Sequence, residues 1–226
     1  MTPRGATAYK QFFEPGDLKK IIEDPGQIRH SGWDLTTRDR ARIVNGEFLE
    51  VANAERKRIR VYEDGSVLVR VFGDEDYLSW GQSTNNFDKA PRLNTLALIE
   101  FTLNFCKLCS RLVELMEPRP AEVNLRVEIK NAFFGDAKLF LIPHPVSSGA
   151  FAMTDDRHPA PEASMERKFP IAAERLRTSP NAAAYMLLRQ IFYWFGVEKA
   201  EIPYTSVAPD GSRVVDENLI VNSRPL

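Results

Sequence analysis

Cysteine is nearly absent: the 226 residues hold two, Cys106 and Cys109. Two cysteines this close together cannot staple a chain of this length, which excludes a disulfide scaffold and fits a reduced, cytoplasmic protein. Histidine is almost as scarce, with only His30, His144 and His158. No apolar run approaches the roughly 20 residues that a membrane helix needs. The opening M-T-P-R-G-A-T-A-Y-K lacks the apolar core of a signal peptide. There is no serine in a nucleophile elbow, no G-x-G-x-x-G and no G-K-[ST] phosphate loop. An excess of either charge is missing too, since 30 lysines and arginines face 31 aspartates and glutamates. A chain so near neutrality is no bulk polyanion binder, so any nucleic-acid role needs a local patch.

What is present is clearest between Arg56 and Phe72, R-K-R-I-R-V-Y-E-D-G-S-V-L-V-R-V-F. The alternation reads as a β-hairpin and selects its register. A two-residue Asp64-Gly65 loop would set Ile59 against Arg70 and Val69 against Arg60, mixing the faces. A three-residue Glu63-Asp64-Gly65 loop pairs Val61 with Val67 and Ile59 with Val69, with Val71 on the same side. The expected turn is type I, with Gly65 left-handed in a bulge. The opposite face then carries Arg58, Arg60, Tyr62, Leu68, Arg70 and Phe72.

Around the hairpin the reading is an α+β fold. Residues 1–16 are expected to form a loose lead-in, and residues 17–226 a single domain with an irregular loop at 143–169. Asp17 is placed to cap a short helix, Leu18 to Glu23. Asp34, Thr36 and Thr37 supply turn chemistry around a buried Trp33. A strand at Glu47 to Ala52 would complete an antiparallel meander, putting Glu50 on the arginine face. The apolar face needs a cover, and the candidate is a central helix from Asn94, its N-cap, to Met116. On that helix Glu100, Asn104, Lys107, Arg111 and Glu114 form one narrow stripe, read as wet. A second strand pair is expected at Val123 to Lys130 and Lys138 to Ile142, joined through Gly135-Asp136. A C-terminal helix starts with Ser179 as cap and Pro180 first, and Gly196 ends it. An extended piece at Ile202 to Val207, a Pro209-Asp210-Gly211 turn and a last segment through Val221 complete the chain.

The candidates for chemistry divide into three groups. Cys106 and Cys109 satisfy C-x-x-C, but they fall deep inside a helix on its apolar side, where packing is the reading. His144, Asp155 and His158 are the candidate metal ligands, and Asp74, Asp76 and Asp156 would join them in a metal-dependent hydrolase or nuclease. The reading preferred is that no metal and no cofactor is held, with Asp74 capping a helix and the histidines in loops. The third group is the hairpin face. Arg58, Arg60 and Arg70 could hold phosphates and Tyr62 could stack a base, with Glu50 partly neutralising them. The run Phe192-Tyr193-Trp194-Phe195 wraps around its helix and reads as core, or as a surface for another subunit.

Four segments together carry a family resemblance: G-W-D-L-T-T-R-D at 32–39, N-G-E-F-L-E-V at 45–51, R-K-R-I-R-V-Y-E-D-G-S at 56–66 and D-Y-L-S-W-G at 76–81. Over roughly residues 28 to 205 the chain resembles the region that follows the schlafen-type, Alba-like DNA-binding domain in some bacterial proteins, often labelled ATP-binding or helix-turn-helix. The Alba-like domain itself is not in this chain, so none of its binding residues carries over. The resemblance implies a non-catalytic accessory module in a bacterial nucleic-acid-linked setting, defence included. Its expected partners are another protein, a second copy or nucleic acid, and no membrane. A structural oligomer built on the aromatic C-terminal helix is the remaining alternative.

Overall fold

The structure is a computed structural model and describes residues 1–9, 12, 16–30, 32–37, 39–53, 57–73, 91–141, 158–198 and 202–223. Two short strands, β1 (Thr2–Arg4) and β2 (Ala8–Tyr9), precede helix α1 (Asp17–Glu23). A meander follows: β3 (Arg42–Val44), β4 (Phe48–Asn53), β5 (Lys57–Tyr62) and β6 (Val67–Val71). After β7 (Arg92–Leu93) comes the long helix α2 (Thr95–Glu114), then β8 (Met116–Glu117) and β9 (Glu122–Ile129). Short strands β10 (Phe133–Phe134), β11 (Ala137–Lys138), β12 (Phe140–Leu141) and β13 (His158–Pro159) lead to β14 (Met165–Ala172). Helices α3 (Ala173–Thr178) and α4 (Pro180–Trp194), the hairpin β15 (Thr205–Val207) and β16 (Arg213–Val215), and α5 (Glu217–Val221) end the chain. The architecture is α+β, with antiparallel sheets around α2. Among the described residues no helix is long and apolar enough to cross a membrane.

The hairpin forms in the register that its pattern demands. Val61 pairs with Val67, Ile59 with Val69 and Arg58 with Arg70. The Tyr62 N–H donates to Ser66 O at 2.9 Å, Gly65 N–H donates to Tyr62 O at 3.0 Å, and Gly65 has φ +81°. The Asp64 carboxylate fixes the turn by accepting from Ser66 N–H at 2.8 Å. The same device closes β15–β16: Ala208 N–H donates to Ser212 O, Gly211 N–H to Ala208 O, and the Asp210 carboxylate accepts from Ser212 N–H. Both turns read Asp-Gly-Ser, and the second accounts for the turn expected at Pro209-Asp210-Gly211.

Several expectations are corrected. Over residues 1–9 the lead-in is not loose. Thr2–Arg4 pairs antiparallel with β9, and Ala8–Tyr9 pairs with β8. Met1 and Val67 exchange backbone hydrogen bonds, and the Tyr9 N–H reaches Glu63 O at 3.3 Å. This strap therefore stitches the edge of the meander to the β9 sheet. The partner of β9 is β14, over eight residues, and not the segment at Lys138 to Ile142. Gly135-Asp136 does turn the chain, but only between β10 and β11. Phe140–Leu141 instead joins β7 and β13. Part of the expected irregular loop is thus strand, from His158 to Pro159 and from Met165 to Ala172, and residues 142–157 lie outside the described residues. Neither Asp17 nor Ser179 caps through its side chain: Gly16 holds the N-cap of α1, while Ser179 offers its carbonyl to Ala182 and Ala183 N–H. Asn94 does cap α2, accepting from Ala97 N–H at 3.1 Å.

The stripe on α2 is not wet where it matters most. Glu100 is 1% exposed and Asn104 3%. Arg29 meets the Glu100 carboxylate with two donors, Nε to Oε1 at 2.6 Å and Nη2 to Oε2 at 2.9 Å. Trp33 N–H donates to Glu100 Oε2 at 3.1 Å, and Asn104 Nδ2 donates to Trp33 O at 3.1 Å. Farther along, Lys107 pairs with Glu217 of α5 at 2.5 Å and Arg111 donates to Asp24 O at 3.1 Å. The stripe is the seam on which α5, the Arg29 side chain and the backbone of Asp24 and Trp33 dock. The opposite faces of α2 bury Leu98, Ile99, Leu103, Leu108 and Leu112, in one cluster with Leu49, Val51, Ile59 and Val61 from the meander.

Two variants test these seams. Glu100→Gln leaves the Arg29 guanidinium buried without its counter-charge and should cost about 3–5 kcal/mol in urea unfolding. A loss within experimental error would show that the pair does not hold the 29–33 segment. Gly65→Ala places a methyl 2.8 Å from Pro3 Cγ and 3.2 Å from the Met116 thioether, at a left-handed φ. It should cost about 1–3 kcal/mol, whereas Gly46→Ala, at φ +73° with open space around it, should lose less.

Candidate nucleic-acid interface

Strand β4 supplies the organising residue. Its pairing places Glu50 opposite Arg60 on one side and Arg42 on the other. Period-two alternation then fixes the outer face of the four strands: Arg42 and Val44, then Phe48, Glu50 and Ala52, then Arg58, Arg60 and Tyr62, then Leu68 and Arg70. Glu50 is 4% exposed, although it points away from the apolar core, because arginines close over it. Arg60 Nε lies 2.8 Å from Oε2, Arg42 Nη2 3.1 Å from Oε1, and Arg58 Nε 3.4 Å from Oε2. Burial alone would raise the Glu50 carboxyl pKa, but the hydrogen bonds from Arg60 and Arg42 and the charge of Arg58 outweigh it, leaving the pKa below the usual range.

Aromatic rings fill the gaps between these charges. The Arg60 guanidinium sits 4.5 Å over the centre of the Phe48 ring, and Phe48 meets Tyr62 at 5.3 Å. Beyond the end of β6, Arg70 lies 5.3 Å over the Phe72 ring. Leu68 and Phe72 are exposed, at 46% and 41%. Arg70 meets no carboxylate among the described residues. Three arginines thus share one carboxylate, and with Arg70 the face keeps three formal positive charges beside rings presented to solvent.

The outer face of the other large sheet is different. There Glu128 lies opposite Glu166, Arg126 bridges both at 3.4 and 3.0 Å, and Lys130 reaches Glu128 at 3.1 Å. Acids and bases alternate and cancel, so local charge separates the two sheets where the chain's total does not.

The sequence-predicted residues fall into place unevenly. Arg58, Arg60, Tyr62 and Arg70 share one face, as the register required. Arg42 and Phe48 complete it and were missed: β3 is only three residues long, and Phe48 reads as core in a strand whose neighbours Leu49 and Val51 are core. Of the metal candidates only His158 is described. It stands on β13, with Nδ1 4.0 Å from the position a Cβ on Gly196 would occupy. His144, Asp155, Asp156, Asp74 and Asp76 lie outside the described residues. Among the described residues no group of three His, Cys, Asp or Glu side chains could hold a metal ion. In the aromatic run Phe192, Trp194 and Phe195 are buried in the chain's own core, and only Tyr193 is exposed.

Cys106 and Cys109 are both fully buried. Desolvation pushes the Cys109 thiol up to about 12, and Cys106 rises well above its ordinary range for the same reason, reinforced by Cys109. Neither can serve as a thiolate at neutral pH. A thiol reagent at pH 8 should therefore label no cysteine in the native protein and two after unfolding; rapid native labelling would contradict this packing. Unfolded thiols ionise near 8.5, so stability should fall as pH rises from there toward 12.

Against known proteins, no family model, no curated protein and no solved structure matches this chain.

Proposed function

We propose that this chain is a non-catalytic interaction module that binds single-stranded nucleic acid on the outer face of the β3–β6 sheet. The observation that carries the reading is the set Arg42, Arg58 and Arg60 gathered around the single carboxylate of Glu50, with Arg70 beside Arg58 on the same face and outside that cluster. A sheet face of this kind suits an unpaired strand: guanidinium groups take phosphates, and exposed rings stack bases without selecting among them. Phe72 and Tyr62 are the rings available, and Leu68 adds an apolar contact between them. The resemblance of residues 28–205 to the region following a schlafen-type domain points to the same setting, an accessory module beside a nucleic-acid-linked partner in a bacterial cytoplasm.

The test is a fluorescence anisotropy titration with a labelled single-stranded oligonucleotide at several salt concentrations. A slope of about −2 in log K against log salt is expected if three phosphates are engaged. Arg58, Arg60 and Arg70→Ala together should abolish binding. Because two of these arginines also hold Glu50, Leu68→Glu serves as the fold-sparing variant, adding one negative charge at an exposed position. It should weaken binding about three- to tenfold with no change in melting temperature. No binding at low salt, or equal binding by wild type and both variants, would overturn the proposal. Tighter binding of an acidic peptide than of the oligonucleotide would assign the face to a protein partner instead.

A further inference from the structure

A second basic site lies far from the sheet in sequence, between α4 and β16. Tyr185, Arg189 and Tyr193 follow one another at four-residue spacing and share a face of α4. The Arg189 guanidinium lies 5.1 Å over the Tyr193 ring. Strand β16 runs alongside, held by Asn181 Nδ2 donating to Val215 O at 2.9 Å. Val215 is fully buried, and Arg213, two residues away, is on the same side of the strand. Arg213 lies close enough to Tyr185 for its charge to act on the phenol. The charges of Arg213 and Arg189 both act on that phenol, against the burial that raises its pKa.

The polar groups here are unsatisfied. Tyr185 is 5% exposed, and its hydroxyl and the Nε of Arg189 are buried without a hydrogen-bond partner. Neither Arg189 nor Arg213 meets a carboxylate among the described residues. The nearby acids are engaged elsewhere: Asp216 accepts from Asn218 N–H at the start of α5, and Glu217 is bound by Lys107 and Asn181. A buried hydroxyl and a guanidinium N–H that make no bond carry a desolvation cost that a ligand would remove. Arg189 and Arg213 are only partly buried and Tyr193 is exposed, so the cluster is open to solvent on that side.

We infer that Arg189, Arg213 and the Tyr185 hydroxyl form a site for a tetrahedral oxyanion, the phosphate group of a small phosphomonoester. Two guanidinium groups from different elements supply charge and several N–H donors, and the phenol supplies an O–H donor. A phosphate offers enough acceptor oxygens for all three, whereas a carboxylate offers two. The site is independent of the sheet face and of any strand bound there.

Inorganic phosphate is the probe, with acetate as the carboxylate control, read by calorimetry and by thermal melting of the whole chain. Wild type should show saturable millimolar phosphate binding and a melting temperature that rises with phosphate concentration. Acetate should bind about tenfold more weakly or not at all. Tyr185→Phe removes an unsatisfied buried hydroxyl, so without phosphate this variant should melt no lower than wild type. It should nevertheless lose most of the phosphate response, as should Arg213→Gln. Leu68→Glu on the sheet should leave the response unchanged, so failure of one site does not read as failure of the other. No saturation by 20 mM phosphate (about the top of the millimolar range), equal binding of acetate, or an unaltered response in Tyr185→Phe and Arg213→Gln would each overturn the inference.

Discussion

One buried carboxylate governs how this chain closes on itself. Glu100 sits in the second turn of the long central helix α2, on a buried stretch where an unpaired charge would be costly. Both its oxygens are taken by Arg29 and Trp33 of the segment at 29–33. The same segment returns a carbonyl to Asn104 one turn later. Gly32 leaves room for this carboxylate: a Cβ at that position would stand 2.6 Å from Glu100 Oε1 and push it off its donors. Arg29 also reaches Ser223 near the end of the described chain at 3.3 Å. A single ion pair thus ties an irregular N-terminal connection, the central helix and the C-terminal turn into one register. Apolar packing would allow these parts to slide; fixed donors and acceptors do not.

Much of this was legible from the residues, and the parts that were not share a cause. The hairpin could be read because alternation and an Asp-Gly turn both point to one register, and Asn94 could be read as a cap because a cap is a local matter. Glu100 and Asn104 could not. A polar stripe on a helix has the same spacing whether it faces water or a partner, and here the partner lies 71 residues earlier. Strand β14 was hidden by its role as an edge. Its residues are mostly exposed, it contains Pro170, and its charges blur the period of two. Strand β1, Thr-Pro-Arg, carries no apolar pattern at all, since it contributes backbone bonds and no buried apolar side chain. Local signals show in a sequence, and long-range pairing of polar groups does not.

The arginine face shows how the two kinds of signal combine. Alternation places Arg58, Arg60 and Tyr62 together, and only the pairing of β3 and β4 adds Arg42 and Phe48. Near-neutral overall charge conceals this, because the β9–β14 sheet cancels its own charges while the meander does not. Net charge is a sum over surfaces, and recognition takes place on one of them.

The strap at residues 1–9 has a mechanical consequence. It bonds at both ends to the rim of the meander, through Met1 and Tyr9, and in between to β9 through Thr2–Arg4. Glu50 does for side chains what the strap does for sheets. A free arginine gives up roughly 2 kcal/mol of rotamer entropy when it is immobilised, and Arg58 and Arg60 have already given up part of it to Glu50 within a sheet whose rim is fastened. The meander face is therefore a pre-set template, not a brush of mobile charges. An anion arriving there meets groups already in position, so less of its binding energy is spent on ordering them.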